Sequence, residues 1–322
     1  MTDPQSIITV SVVIPAYHQA ALLARLLDSL TASVDAPPWE VIVVDDASPD
    51  DTEAVVAAWM AAHDAVPCRY LRQARNQGPG AARNRGVEAA RGEFVAFTDT
   101  DCVVDGRWLS ALLAGFTDDT IAGAGGPVAP FNPGSIYALY NTVNASLEPQ
   151  VAADRPIPYL VTCNCCYRRA ALMAAGGFPE DIPTPGGEDV AASIALYKQG
   201  YRFAFAPDAR VRHEYRDNWR RFIRTWTNYG YGCGIVAHRL LTPDERNPEG
   251  GRWEGDNHWS VLTLRPTVTG VRSLVKDLRW FYNRCAAREE VGGRLLALIA
   301  LRAIERIAYY RGWKKGLARI DG

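Results

Sequence analysis

The chain has 322 residues, 48% hydrophobic and 22% charged, a balance that excludes a disordered or collagen-like polymer and leaves enough apolar material for a core. That length suits two domains, or one large domain with an appendage, and no apolar run approaches the roughly 20 residues that span a bilayer. The net charge of −1 hides an asymmetry: residues 1–201 carry 12 Lys/Arg against 23 Asp/Glu, whereas residues 202–322 carry 23 against 13.

In chain order, Ile8–Pro15 is a β-branched run of strand length, and leucines at 22, 23, 26, 27 and 30 predict a helix over Ala20–Leu30. Glu40–Asp45 is a continuous apolar run ending in acid, as expected of a parallel strand buried on both faces. Helices are predicted at Thr52–Ala62 and Gly80–Ala90, and strands at Cys68–Leu71 and Glu93–Thr98. This β-α-β-α-β-α-β order predicts an α/β fold, a mostly parallel sheet flanked by helices with ligands beyond the carboxyl ends of its strands. Further on, strands are expected at Ile121–Ala124, Tyr159–Cys163 and Arg202–Phe205, with a helix at Asp189–Gln199. Beyond about Asn218 the chain reads helical, with breaks at Pro243–Gly251 and Pro266.

Four motifs carry chemistry. VVDDASPDD, residues 43–51, puts two carboxylates at a strand end, where one can accept from a base N–H; an acidic turn before a helix is the plainer reading. RNQGPGAARNRG, residues 75–86, opens a helix through a tight glycine loop, and a helix N-terminus with Arg83 beside it suits a diphosphate. An ordinary turn with solvated arginines is the alternative, and the loop has neither the P-loop lysine nor dinucleotide glycine spacing. FVAFTDTDC, residues 94–102, places Asp99 and Asp101 two positions apart at the fourth strand end, where hard divalent cations can be held; a helix cap plus a turn acid is the alternative. GGEDV, residues 186–190, opens a helix with Glu188 and Asp189, where the dipole favours a carboxylate suited to act as a base, although helix capping alone accounts for one of the two acids. His213 in VRHEY is either a metal ligand or a structural histidine.

Together, VSVVIPAY, VVDDASPD, RNQGPGAARNRG, FTDTDC, GGFPED, GGEDV and VRHEY stand in the order seen in glycosyltransferase family 2, which this sequence resembles over residues 7–215. The resemblance implies the GT-A fold and an inverting transfer from a nucleotide-diphosphosugar, with a UDP-sugar as the expected donor and Mn²⁺ or Mg²⁺ as cofactor. It places Pro15, Ala16, Tyr17 and Asp46 around the donor base, Arg83 near the nucleotide, and Asp99 at the ribose or sugar. Asp101 would bind the metal, with His213 as a further metal or diphosphate contact. Asp189 matches the catalytic base and Glu188 its acceptor-side neighbour. TCNCCYRRAAL, residues 162–172, resembles the acceptor segment, with Asn164 nearest the reaction. His18 stands where the family often has Asn.

These residues predict a catalytic domain over 1–215, with a donor half to about 105 and an acceptor half to 215, followed by a mostly helical region over 216–322. The acceptor would be a glycan, a lipid-linked sugar or a small natural product, and nucleic acid is not an expected partner. A non-catalytic sugar-nucleotide-binding scaffold and a sugar-1-phosphate nucleotidyltransferase are the alternatives; the latter should carry a glycine-rich basic loop where this chain has IPAYHQA. Seven cysteines, an odd number, and the lack of a secretory signal point to a cytoplasmic protein with reduced thiols. Cys163, Cys165 and Cys166 make a poor zinc site and suit small apolar packing.

In the C-terminal third, DNWRRFIRTWTNYGYGCG, residues 217–234, interleaves arginines with aromatics. Trp219 and Phe222 read as packing residues, and Gly230–Gly234 as a lid. Over Arg294–Tyr310, the residues Arg294, Arg302, Glu305 and Arg306 share one third of the helical wheel, leaving a broad apolar face. Such a basic helix can lie on the inner face of an anionic membrane. Its narrow polar side, interrupted by Glu305, instead favours docking on the catalytic domain or on a second copy in a homodimer.

Overall fold

The computed structural model describes residues 8–149, 157–241 and 271–320; the breaks expected at Pro243–Gly251 and Pro266 lie outside the described residues. The first hundred residues form β1 (Val10–Ala16), α1 (Ala20–Thr31), β2 (Trp39–Asp45), α2 (Thr52–Ala62), β3 (Cys68–Arg72), α3 (Pro79–Ala89) and β4 (Phe94–Phe97). Then follow β5 (Cys102–Val104), α4 (Trp108–Leu113), β6 (Ile121–Gly125), β7 (Val128–Pro130), α5 (Ile136–Asn144), β8 (Cys165–Arg168) and α6 (Arg169–Ala174). After these come α7 (Glu188–Lys198), β9 (Arg202–Phe205), β10 (Val211–His213) and α8 (Trp219–Leu240). The last helices are α9 (Val271–Ala286) and α10 (Leu295–Ala318).

Two compact units share these elements: Met1–Ala129, Leu147–Pro183 and Glu188–His213 make the first, and Pro130–Ser146, Thr184–Gly187 and Glu214–Gly322 the second. In the first unit a seven-stranded sheet runs β3-β2-β1-β4-β8-β6-β9. The pairs β1–β2, β2–β3, β1–β4 and β6–β9 are parallel, and β8 is antiparallel to both β4 and β6, so β8 alone runs against the rest. Both faces of the central strands are buried, which explains their unbroken apolar sequence. Val12, Ile14, Val41 and Val43 meet Leu23, Leu26, Leu27 and Val56 on one side. Val13, Ile42, Val44 and Phe97 meet Ala82, Leu172, Phe178 and Leu196 on the other.

The expected strand at Tyr159–Cys163 is displaced: Thr162 and Cys163 form a turn, and the strand is Cys165–Arg168. Asn164 causes the shift. Its side chain donates to the carbonyls of Pro127 and Ala209 and accepts from the Trp108 indole, which pins the turn and delays the strand. Cys163, Cys165 and Cys166 are free thiols buried in the core.

The second unit is helical, and its core holds Tyr140, Phe222, Trp226, Phe281 and Leu298. Phe222 packs as expected, whereas Trp219 is exposed. Gly230, Gly232 and Gly234 do not form a lid: all three are buried within α8. They let α8 approach its neighbours closely. A Cβ on Gly230 would stand 2.0 Å from the Tyr309 carbonyl oxygen of α10, and one on Gly312 would stand 1.9 Å from that of Thr227.

Helix propensity alone would make Gly312→Ala stabilising by about 1 kcal/mol. The carbonyl it meets is backbone and cannot swing aside, so the clash decides the sign. We expect Gly312→Ala to lower the free energy of unfolding in urea by about 1–3 kcal/mol. A variant as stable as the parent would mean that α8 and α10 stand farther apart.

Candidate functional site

β2, β1 and β4 are neighbours in the sheet, so their carboxyl ends form one rim. That rim carries Asp45 and Asp46, then Pro15, Ala16 and Tyr17, then Asp99 to Asp101. Asp45 is fully buried and holds the turn, accepting from the Ser48 amide, the Tyr70 hydroxyl and Arg72. Asp46 points to the loop between β3 and α3. Its Oδ1 accepts from the Gln77 amide at 2.8 Å and from Gln73 Nε2 at 2.7 Å, and its Oδ2 from the Gly78 amide at 2.8 Å. The amides of Gln77 and Gly78 just ahead of α3 are therefore held by the protein's own carboxylate. A carboxylate has about four acceptor positions, and three donors meet Asp46 here. The Asp46 amide donates to the Ala16 carbonyl at 2.9 Å, and the next residue, Tyr17, is 50% exposed.

With its first turn fixed by Asp46, α3 lies tight on the sheet: a Cβ on Gly86 would stand 2.3 Å from Val13 Cγ1. This delivers Arg83 into the interior, where it is 4% exposed. Its Nη1 donates to Glu188 Oε1 at 2.8 Å and its Nη2 to Asp99 Oδ1 at 2.9 Å. The Phe178 ring covers the guanidinium at 5.8 Å, and Nε is buried with no hydrogen-bond partner. Burial works against its charge, but Asp99, Glu188 and Asp189 outweigh that and hold the guanidinium protonated.

Glu188 and Asp189 form the first turn of α7, which the chain reaches through Gly186 and Gly187 at φ values of 115° and 96° that side chains rarely adopt. Glu188 is buried, its Oε1 accepting from Arg83. Asp189 is half-buried, and its Oδ1 accepts from the Val190 amide at 2.8 Å. Removal from water, and next the Glu188 charge, push its carboxyl up to about 7; Arg83 and the Val190 amide pull the other way, and Asp99 adds to the rise.

His213 reaches the rim through a second sheet, ordered β5-β10-β7. The antiparallel register pairs His213 with Cys102, the residue after Asp101, and leaves His213 Nε2 3.3 Å from Asp101 Oδ1. Two donors at that separation can share one divalent ion. Among the described residues no group of three or more His, Cys, Asp or Glu is arranged around a metal. An ion here would draw its remaining ligands from water and phosphate oxygens, as Mg²⁺ and Mn²⁺ do in nucleotide sites. The residues present fit such an ion.

Asn164 is fully buried with its side chain on Trp108, Pro127 and Ala209, and the neighbouring Cys163 carbonyl meets Cys102 Sγ, one residue past Asp101. Gln73 and Gln77 on Asp46, and Gln19 on the Thr100 hydroxyl, were not singled out from the sequence. Glutamines in loops follow no periodicity that would have marked them.

The family described as Glycosyl transferase family 2 matches residues 11–176, and Glycosyl transferase family group 2 matches residues 94–304. The chain is 32% identical over 275 residues to a Mycobacterium tuberculosis protein named pre-mycofactocin glycosyltransferase, an alignment covering 83% of this chain and 55% of that one. It thus spans about half the length of that relative. The mannosyltransferase PcManGT of Pyrobaculum calidifontis, solved with GDP-Man and Mn²⁺, has a similar fold, with a TM-score of 0.66 at 21% identity over 98% of this chain and 88% of that one. TarS 1-349 of S. aureus with UDP-GlcNAc gives a TM-score of 0.54 at 18% identity over 98% and 92%. The GT-A sheet, the rim acids and the family match over more than half of the sequence agree: the chain belongs to glycosyl transferase family 2.

Proposed function

We propose that this chain transfers a sugar from a nucleoside-diphosphate donor, a UDP-sugar in the first instance, to a hydroxyl of a glycan, lipid-linked or small-molecule acceptor, with inversion at the anomeric carbon. The observation that carries this reading is the half-buried Asp189 carboxyl beside the Arg83–Glu188–Asp99 cluster, with Asp101 and His213 converging on the same rim of the sheet. Two structural neighbours solved with nucleotide sugars support the donor class.

In this reading, residues 1–215 do the chemistry. Asp46 accepts an N–H of the base through its remaining position, next to Tyr17 and the Pro15–Ala16 turn. Asp99, tied to Arg83 and partly exposed, faces the ribose or sugar. Arg83 contacts no phosphate; it is a positioning residue that holds Glu188 and Asp99 in place. Asp101 and His213 would hold Mn²⁺ or Mg²⁺, whose charge offsets that developing on the departing diphosphate. Asp189 takes the proton of the acceptor hydroxyl as its oxygen attacks the anomeric carbon opposite the leaving group. The proton ends on the Asp189 carboxyl and the electron pair on the diphosphate. A single displacement inverts the centre, so no covalent sugar–enzyme bond forms.

The ionised form of Asp189 is the active one, and its pKa is raised to about 7. Turnover, read as Mn²⁺-supported UDP-sugar hydrolysis or transfer, should therefore fall about tenfold per pH unit below that value. Asp189→Asn should lose about 10²–10⁴-fold in kcat while UDP still raises its melting temperature. Substantial turnover in that variant removes Asp189 as base. Nucleotide binding with no turnover in the parent chain would favour the scaffold reading.

Because Arg83 holds the Asp189 pKa down, Arg83→Gln should move the acid limb of kcat/KM to higher pH. An unmoved limb in a folded variant would leave Arg83 a purely structural role.

Chelation by EDTA should cut turnover by about 100-fold or more, with recovery on adding Mn²⁺ or Mg²⁺. Full activity after thorough chelation contradicts the assignment of Asp101 and His213.

A further inference from the structure

The amphipathicity of α10 is inverted relative to its surroundings. The charged side expected to face water is buried: Arg302, Glu305 and Arg306 are all within the second unit. Arg302 makes a two-pronged contact with Asp277 of α9, Nε to Oδ2 at 2.8 Å and Nη2 to Oδ1 at 2.6 Å. Its Nη1 donates to Asn144 at 2.8 Å and lies 3.2 Å from Glu305, which accepts from the Tyr140 hydroxyl at 3.3 Å. The glycines of α10 complete the inward face against α8.

What α10 turns outward is therefore its apolar side. Leu296 is 81% exposed, Ile304 38% and Ile307 49%, with Ala300 also exposed. Spacings of four and three residues put these side chains on one side of the helix. At about 1.5 Å per residue they form a stripe roughly 17 Å long. Single exposed apolar residues need no explanation, but an aligned stripe does. The same side continues into the exposed cations Arg311, Lys314 and Lys315. Glu305 is the only acidic residue of Leu295–Ala318, so the outward face of α10 holds no carboxylate to meet these cations. Across residues 271–320 there are twelve Lys/Arg against four Asp/Glu.

We propose that the outward face of α10 seats this protein on an anionic bilayer surface, with the Leu296–Ile307 stripe among the acyl chains and Arg311, Lys314 and Lys315 on the headgroups. Such a surface supplies apolar cover for the stripe and anions for the cations, neither of which α10 itself provides on this face. A second copy docked by this face would supply the first and not the second. The contact lies along the bilayer surface, since among the described residues no helix is long and apolar enough to cross a membrane.

The test is co-sedimentation of the full chain with equimolar phosphatidylcholine–phosphatidylglycerol vesicles against pure phosphatidylcholine vesicles. The parent chain should sediment with the anionic vesicles and be released by salt. The double variant Lys314→Glu/Lys315→Glu should bind them about tenfold or more weakly, and Ile304→Glu/Ile307→Glu should lose binding by a similar factor. Both should keep the parent melting temperature, because these side chains are exposed. Four results overturn the proposal. They are no binding to anionic vesicles; equal binding to both vesicles; binding unchanged by the isoleucine variant; and a solution dimer that the isoleucine variant splits. A large fall in the melting temperature of that variant would also overturn it, since the face would then be covered by the chain itself.

Discussion

A guanidinium taken out of water costs several kcal/mol unless anions meet it at hydrogen-bonding distance, and in the sheet unit that constraint falls on Arg83. Its two partners come from segments 16 and 105 residues away along the chain. Both must arrive for the cation to be tolerated, so folding the interior and assembling the acids are one event. The delivery is equally specific. Asp46 fixes where α3 begins, Gly86 brings α3 onto β1, and Arg83 lies between them. The cluster also sets the field felt by Asp189. Burial and the Glu188 charge push this carboxyl up, and Arg83 limits the rise, leaving it poised near neutral pH. A group that titrates there can take a proton without being permanently protonated near pH ~7.

Much of the sheet unit is legible in the sequence because parallel strands buried on both faces must be written as continuous apolar runs. The same rule puts the acids at the strand ends, since these are the first positions that return to the surface. What the sequence does not display is which of those acids face inward. Asp45 and Asp46 are adjacent, yet one holds a turn while the other caps a helix. Asn164 reads as a ligand contact, and the sequence does not display that its side chain also braces Trp108, Pro127 and Ala209. His213 reaches Asp101 through strands of three residues, too short to leave a periodic signal.

The helical unit misleads a sequence reader for related reasons. Helical-wheel reading assumes that charged residues face water. In α10 Arg302, Glu305 and Arg306 neutralise one another against Asp277 and turn inward, so the assumption fails for the middle of the helix. Glycines clustered in α8 suggest a loop, but here they remove the side chains that would hold two helices apart. Buried ion pairs thus organise both units: around Arg83 they gather the acids of the candidate site, and around Arg302 they decide which side of α10 is left outside.

The claim on which the functional account rests is the state of one carboxyl, and carbon-13 NMR of aspartate-labelled protein measures it directly. The Asp189 carboxyl resonance, assigned by its disappearance in the Asn variant, would be followed through a pH titration. The account predicts a midpoint of about 7. A midpoint in the ordinary aspartate range, near ~4, would contradict it.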